Sequence, residues 1–237
     1  MLQATPFRAS LLALTIAGLA GPTAAVAQGS IPGALRRVAP DGTAYLVNLP
    51  ESYDAADLPV PVILFLHGGD RSNTRNHPLR FARAAGLNIE FIVIAPHCAP
   101  GCRWEAVDFD ALLEQVSEEF RVDGSRVYLT GYSMGGYGSW DLLGRSPGWF
   151  AAAAPIAGGG DPRAICAARG VAIRAYHGDR DDVIPHSRSA QMVDALKACD
   201  GDAELITYEG VDHGSWPITF RDPDFYSWLL EHRRSGD

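Results

Sequence analysis

Ser133 stands between glycines in RVYLTGYSMGGYGSW, residues 126–140, and the Gly-x-Ser-x-Gly spacing suits a serine presented as a nucleophile. A serine hydroxyl is almost wholly protonated at neutral pH. It becomes reactive only when a base takes its proton and a carboxylate orients that base. YHGDRDDVIP, residues 176–185, offers Asp179, Asp181 and Asp182, and YEGVDHGSW, residues 208–216, offers His213. Serine, then acid, then histidine is the chain order of a triad built on a strand–turn–helix elbow.

Six other histidines compete for the base role. His67, His77, His97 and His177 precede the acid-bearing turn, His186 begins a predicted helix, and His232 lies among charged residues near the C-terminus. His177, directly before Gly178, reads as a packed strand-end residue. His213 has the position and the short loop that a base requires.

The elements that must hold these groups are legible from periodicity. VPVILFLHGG, EFIVIAPHC, SRVYLTG, FAAAAPIAGG, VAIRAYHG and AELITYEG are apolar or β-branched runs, and AYLVNLP is strand-like. Between them PLRFARAAGL, DFDALLEQVSEEF, GGYGSWDLLGRS and SRSAQMVDALKAC read as helices, and PDFYSWLLEHRR closes the chain as an amphipathic helix. Continuous apolar strands alternating with helices predict an α/β fold with a mostly parallel sheet covered on both faces. Ligands in such sheets bind beyond the carboxyl ends of the strands, where Ser133, the aspartates and His213 all fall.

The first 27 residues read as a secretory signal peptide, with Arg8, an apolar run from Leu11 to Ala20 and Ala25-Val26-Ala27 as the cleavage site. The remainder, residues 28–237, suits one α/β catalytic domain with a full core. The apolar run falls short of the roughly 20 residues of a spanning helix, so membrane embedding is not expected. A net charge of −8 disfavours nucleic acid and anionic membrane surfaces as partners. The oligomeric state is left open.

Four cysteines in an exported chain read as disulfides, in a periplasmic or secreted setting. Four allow three pairings. Cys98 and Cys102 flank a Pro-Gly turn, and Cys166 and Cys199 each precede a predicted strand at the same sheet edge, which favours 98–102 with 166–199. A metal site at His97, Cys98 and Cys102 would need a second ligand pair, and no metal or organic cofactor is expected.

From about Ala44 onward the chain resembles the small bacterial α/β-hydrolases grouped with dienelactone hydrolases, acyl-protein-thioesterase-like carboxylesterases and prolyl-oligopeptidase-like peptidases. The motifs LHGG, RVYLTGYSMGGYGSWDL, HGDRDDVIP and VDHGSW carry the resemblance. It implies an α/β-hydrolase fold without a lid domain, Asp181 as the acid, Asp179 as a turn stabiliser and a solvent-facing Asp182. It also implies an oxyanion hole made by the backbone N–H groups of Met134 and Gly69. The two cysteines in HCAPGC depart from the group, where this loop is usually free of them. A cysteine stands at the elbow of dienelactone hydrolases proper, so Ser133 points away from that particular activity.

The expected reaction is hydrolysis of a small-molecule carboxylic ester with a short or medium, possibly aryl, acyl group, through an acyl-enzyme on Ser133. A serine peptidase of prolyl-oligopeptidase-like type is the alternative, and a non-catalytic binding protein on the same fold a more distant one. The chain after FAAAAPIAGG is too short for the helical lid of larger lipases, so an open cleft is expected. Arg103, Trp104, Tyr132 and Trp216 are candidate substrate-binding walls. Tyr132 and Trp216 fit loop packing equally well, and Arg103 an ion pair with a surface acid.

Overall fold

The computed structural model describes Met1 and residues 34–55, 57–69 and 77–234. The expected signal peptide lies outside the described residues.

Eight strands form one sheet in the order β1-β2-β4-β3-β5-β6-β7-β8. They are β1 (Leu35–Val38), β2 (Ala44–Asn48), β3 (Val60–Leu66), β4 (Ile92–Pro96), β5 (Val122–Tyr132), β6 (Ala152–Ile156), β7 (Ala172–Gly178) and β8 (Ala203–Tyr208). Strands β3 to β8 run parallel, while β2 pairs antiparallel with both β1 and β4. The α/β expectation of a mostly parallel sheet therefore matches the fold. β1 was not anticipated, because its LRRV sequence has no continuous apolar run and is only half-buried.

Each central strand is buried on both faces, which is why it reads as a solid apolar run. In β3, Val62, Leu64 and Leu66 join one core and Ile63 and Phe65 the other, as the two-residue strand period requires. The first core is closed by α2 (Phe109–Glu119), α3 (Met134–Arg145) and α4 (Ser187–Lys197), through Leu112, Leu113, Trp140, Leu143, Met192 and Leu196. The second is closed by α1 (Pro78–Ala84) and α6 (Pro223–Glu231), with Leu79, Phe225, Tyr226 and Leu229. A short helix α5 (Trp216–Thr219) follows His213 directly.

Local chemistry fixes several boundaries. The Asp108 carboxylate accepts the Ala111 N–H at 3.1 Å and caps α2, and Asp222 caps α6 ahead of Pro223. Between β6 and β7 the described chain carries only a 3-10 turn, Ile165–Ala168. No lid is inserted there.

Both bridges form as expected, Cys98–Cys102 with Cα atoms 5.4 Å apart and Cys166–Cys199 with Cα atoms 5.6 Å apart. Cys98 and Cys102 bond to each other rather than standing as metal ligands. No helix among the described residues is long and apolar enough to cross a membrane.

Candidate active site

Strand β5 delivers Ser133 to the start of α3 through a turn with no room for side chains on its inner face. A Cβ on Gly135 would overlap the Leu66 carbonyl oxygen, and one on Gly131 would overlap the Gly135 carbonyl, so β3 and α3 approach this closely only because both positions are glycine. The turn is completed by Ser133 itself at φ 56° and ψ −118°, outside the regions that L-residues ordinarily occupy. The strain persists because β5 on one side and α3 on the other fix the backbone, and the Ser133 N–H donates to the Ile156 carbonyl at 3.0 Å.

The loop after β8 brings His213 to this serine. Its Nε2 lies 2.9 Å from Ser133 Oγ, and its Nδ1 lies 2.7 Å from Asp181 Oδ2. A carboxylate only accepts, so Nδ1 carries the ring proton and Nε2 is free to take the one on Ser133. The Asp181 Oδ1 atom accepts from the N–H groups of Val183 at 2.9 Å and Ile184 at 2.8 Å. Burial opposes ionisation of this carboxyl, yet the His213 bond and the two backbone donors together hold it below the usual carboxylate range. Exposure rises along the relay, from 0% for the Asp181 side chain to 20% for that of His213. The charged end is thus fixed in the interior, while His213 and Ser133 are half-buried.

Of the three aspartates, the structure brings only Asp181 to His213. Asp179 instead accepts the Gly210 N–H at 2.7 Å and ties the β7 loop to the β8 loop, and Asp182 is exposed. Met134 opens α3, where first-turn N–H groups have no partner within the helix, and Gly69 follows β3 at the same sheet edge. The helix places its positive end under the serine.

The four candidate wall residues separate. Trp216 is half-buried, stacks on Tyr132 with centroids 4.2 Å apart, and presents its edge to His213 at 5.9 Å. Tyr132 is 2% exposed and lies beneath this stack, against Gly68. Arg103 is exposed, with its guanidinium 3.8 Å from Glu105. Trp104 needs correction: it is 2% exposed and inserted against α3, where Gly138 has no side chain to exclude it. A short loop that carries a large apolar side chain buries it when a glycine face is within reach.

Two residues were undervalued by the sequence reading. His177 Nε2 lies 3.1 Å from Asp181 Oδ2, and His67 Nδ1 lies 2.6 Å from the Gly68 carbonyl. Each is a histidine followed by glycine at the carboxyl end of a buried strand, a repeated signal that could have flagged both.

Residues 104–216, a span holding Ser133, Asp181 and His213, match the dienelactone hydrolase family. The chain has an α/β-hydrolase fold, and its match to the dienelactone hydrolase family covers just under half of it. It is 30% identical over 139 residues to a bifunctional acetylxylan esterase/xylanase of Neocallimastix patriciarum, a stretch that is 54% of this chain and 20% of that protein. A thermostable esterase of known structure is 27% identical with a TM-score of 0.70, over 85% of this chain and 63% of its own. The feruloyl esterase module of Clostridium thermocellum, bound to sinapinate, shares the fold at 17% identity and a TM-score of 0.66, over 86% and 90% of the two chains. This α/β-hydrolase thus spans about a fifth of its curated relative and just under two thirds of the thermostable esterase.

Proposed function

We propose that this α/β-hydrolase is an exported serine carboxylic-ester hydrolase acting on short or medium acyl esters. The observation that carries the reading is the continuous relay from Ser133 Oγ through both nitrogens of His213 to Asp181, built on a strained serine. His213 Nε2 takes the serine proton as Ser133 attacks the ester carbonyl, and Asp181 stabilises the imidazolium that forms. The Met134 and Gly69 N–H groups receive the negative charge developing on the carbonyl oxygen. His213 then returns the proton to the departing alkoxide, and water releases the acyl group from Ser133 by the same sequence, leaving acid and free enzyme. The acetylxylan and feruloyl esterases among its relatives favour an acyl ester substrate over a peptide.

The cleft sets substrate size. With no lid inserted between β6 and β7 among the described residues, each CH₂ of a long acyl chain left in water forfeits about 0.8 kcal/mol of transfer energy. Exposed apolar side chains on segments flanking the relay are Tyr137 at 37%, Val183 at 64% and Ile218 at 41%, beside the half-buried Trp216. Residues 28–237 form the catalytic domain in this reading. Export through the N-terminal signal peptide agrees with the two disulfides, which persist in an oxidising periplasmic or extracellular compartment.

A fluorophosphonate probe and a substrate panel test the reading together. One probe molecule should attach per chain, at Ser133. p-Nitrophenyl esters of increasing acyl length should peak at short or medium chains, ahead of aminoacyl anilides, with feruloyl esters showing whether aryl acyl groups are accepted. Turnover of anilides alone would make the protein a peptidase, and no labelling of Ser133 would make it a non-catalytic binding protein.

A further inference from the structure

The HCAPGC loop, unusual for this group, contacts His67 beside the candidate oxyanion hole. His67 follows β3, is 2% exposed, and has both ring nitrogens engaged. Its Nδ1 lies 2.6 Å from the Gly68 carbonyl oxygen, which can only accept, so Nδ1 carries the proton. Its Nε2 accepts the Cys98 N–H at 3.0 Å. One neutral tautomer satisfies both bonds. The ring is further held by the edge of Trp104 at a centroid distance of 4.9 Å, and Trp104 Nε1–H donates to the His67 carbonyl at 3.3 Å.

The Gly68 carbonyl and the Gly69 N–H belong to one peptide unit. In a trans peptide they point in opposite directions, so a donor that grips the oxygen also fixes where the N–H aims. Glycine on both sides widens the range of φ and ψ open to this unit. Cys98 is fixed in turn: its loop is closed by the bridge to Cys102 and by the Cys102 N–H to Ala99 carbonyl bond at 2.8 Å. At its start the loop is anchored to β2 by the His97 N–H, which donates to Ala44 at 2.8 Å.

We propose that His67 is a positioning residue for the Gly69 oxyanion donor, and that the Cys98–Cys102 bridge holds His67 in that role. The proposal rests on the ester-hydrolase reading for its effect on rate, while the link from bridge to ring is a property of the fold. Reducing the bridge frees the Cys98 N–H, releases His67 Nε2 and lets the Gly68–Gly69 peptide rotate. The oxyanion then loses alignment with one of two donors, which lowers kcat and leaves substrate binding nearly unchanged.

The test compares the full-length protein with C98S/C102S, C166S/C199S, H67N and H67A. Kinetics on p-nitrophenyl acetate run beside nitrogen-15 NMR of the histidine rings, at a temperature where every variant is folded. C98S/C102S should lose about tenfold in kcat at constant KM, a fraction of what complete removal of an oxyanion donor costs. C166S/C199S should keep wild-type kcat. The amide of H67N can still donate to Gly68 but cannot accept from Cys98, so H67N should fall between wild type and H67A. The His67 Nε2 resonance should move in C98S/C102S and stay in place in C166S/C199S. Dithiothreitol on the wild type should reproduce both changes reversibly. A kcat within twofold of wild type in both C98S/C102S and reduced enzyme, or an unmoved Nε2 resonance, overturns the proposal. If the wild type neither hydrolyses the ester nor labels at Ser133, the ester-hydrolase reading fails instead, and the resonance still decides whether the bridge holds His67.

Discussion

His177 Nε2 lies 3.1 Å from Asp181 Oδ2, the same oxygen that His213 Nδ1 approaches at 2.7 Å. Two histidines therefore converge on one carboxylate oxygen. His177 Nε2 also faces the Ile184 carbonyl at 2.9 Å, and since both neighbours are acceptors this nitrogen carries a proton. Burial pushes the pKa of this ring down, and its Nδ1 lies 2.8 Å from the Ser189 hydroxyl, which itself donates to the Gly158 carbonyl at 2.9 Å. His177→Leu should lower kcat about tenfold with little change in KM, as loss of a group that orients a catalytic residue does. With one donor withdrawn, Asp181 holds the proton on His213 more tightly, so the acid limb of the pH–rate profile should move to higher pH. An unchanged profile would reduce His177 to packing.

The triad members should act as a unit. Ser133→Ala and His213→Ala should each cost several orders of magnitude in kcat, and the double variant should be little worse than either. Asp181→Asn removes the acceptor of His213 and should cost far more than Asp179→Asn, which loosens one loop tie to Gly210. Steady-state kinetics of the five variants decide it, and equal losses at both aspartates would contradict the assignment.

The bridges should contribute unequally to stability. Cys166–Cys199 closes a separation of 33 residues and Cys98–Cys102 one of 4. By loop-closure entropy these correspond to about 3–4 and about 2 kcal/mol. Calorimetry of C166S/C199S should show the larger drop in Tm, although C98S/C102S is the variant expected to lose activity.

His77 should make the protein acid-sensitive. Its ring is fully buried, and neither nitrogen has a hydrogen-bond partner among the described residues. Burial, with Arg83 and Arg80 adding, pushes its pKa down to about 3. Between about pH 6.5 and 3 the unfolded chain binds a proton that the folded protein excludes, so stability rises with pH across this window and is lost as pH falls. His77→Leu should flatten the fall of Tm with acidification over that range. A slope equal to that of wild type would show that other groups carry it.

The sequence alone settled what depends on local pattern. Solid apolar runs specify strands buried on both faces, and glycines at 131 and 135 specify the elbow, because neither reading needs knowledge of distant residues. The chain order of Ser133, Asp181 and His213 placed all three at one sheet edge for the same reason, and the choice among the three aspartates came from a motif. Tertiary structure decided what depends on non-local contact. β1 is a strand only because the free edge of β2 offers it hydrogen bonds, which an LRRV sequence does not announce. Trp104, placed by the sequence on a cleft wall, is buried because Gly138 arrives from a different element. The roles of His67 and His177 rest on partners 31 and 4 residues away, at Cys98 and Asp181. A histidine can donate, accept or do both, and only the atoms brought to its two nitrogens by the fold determine which.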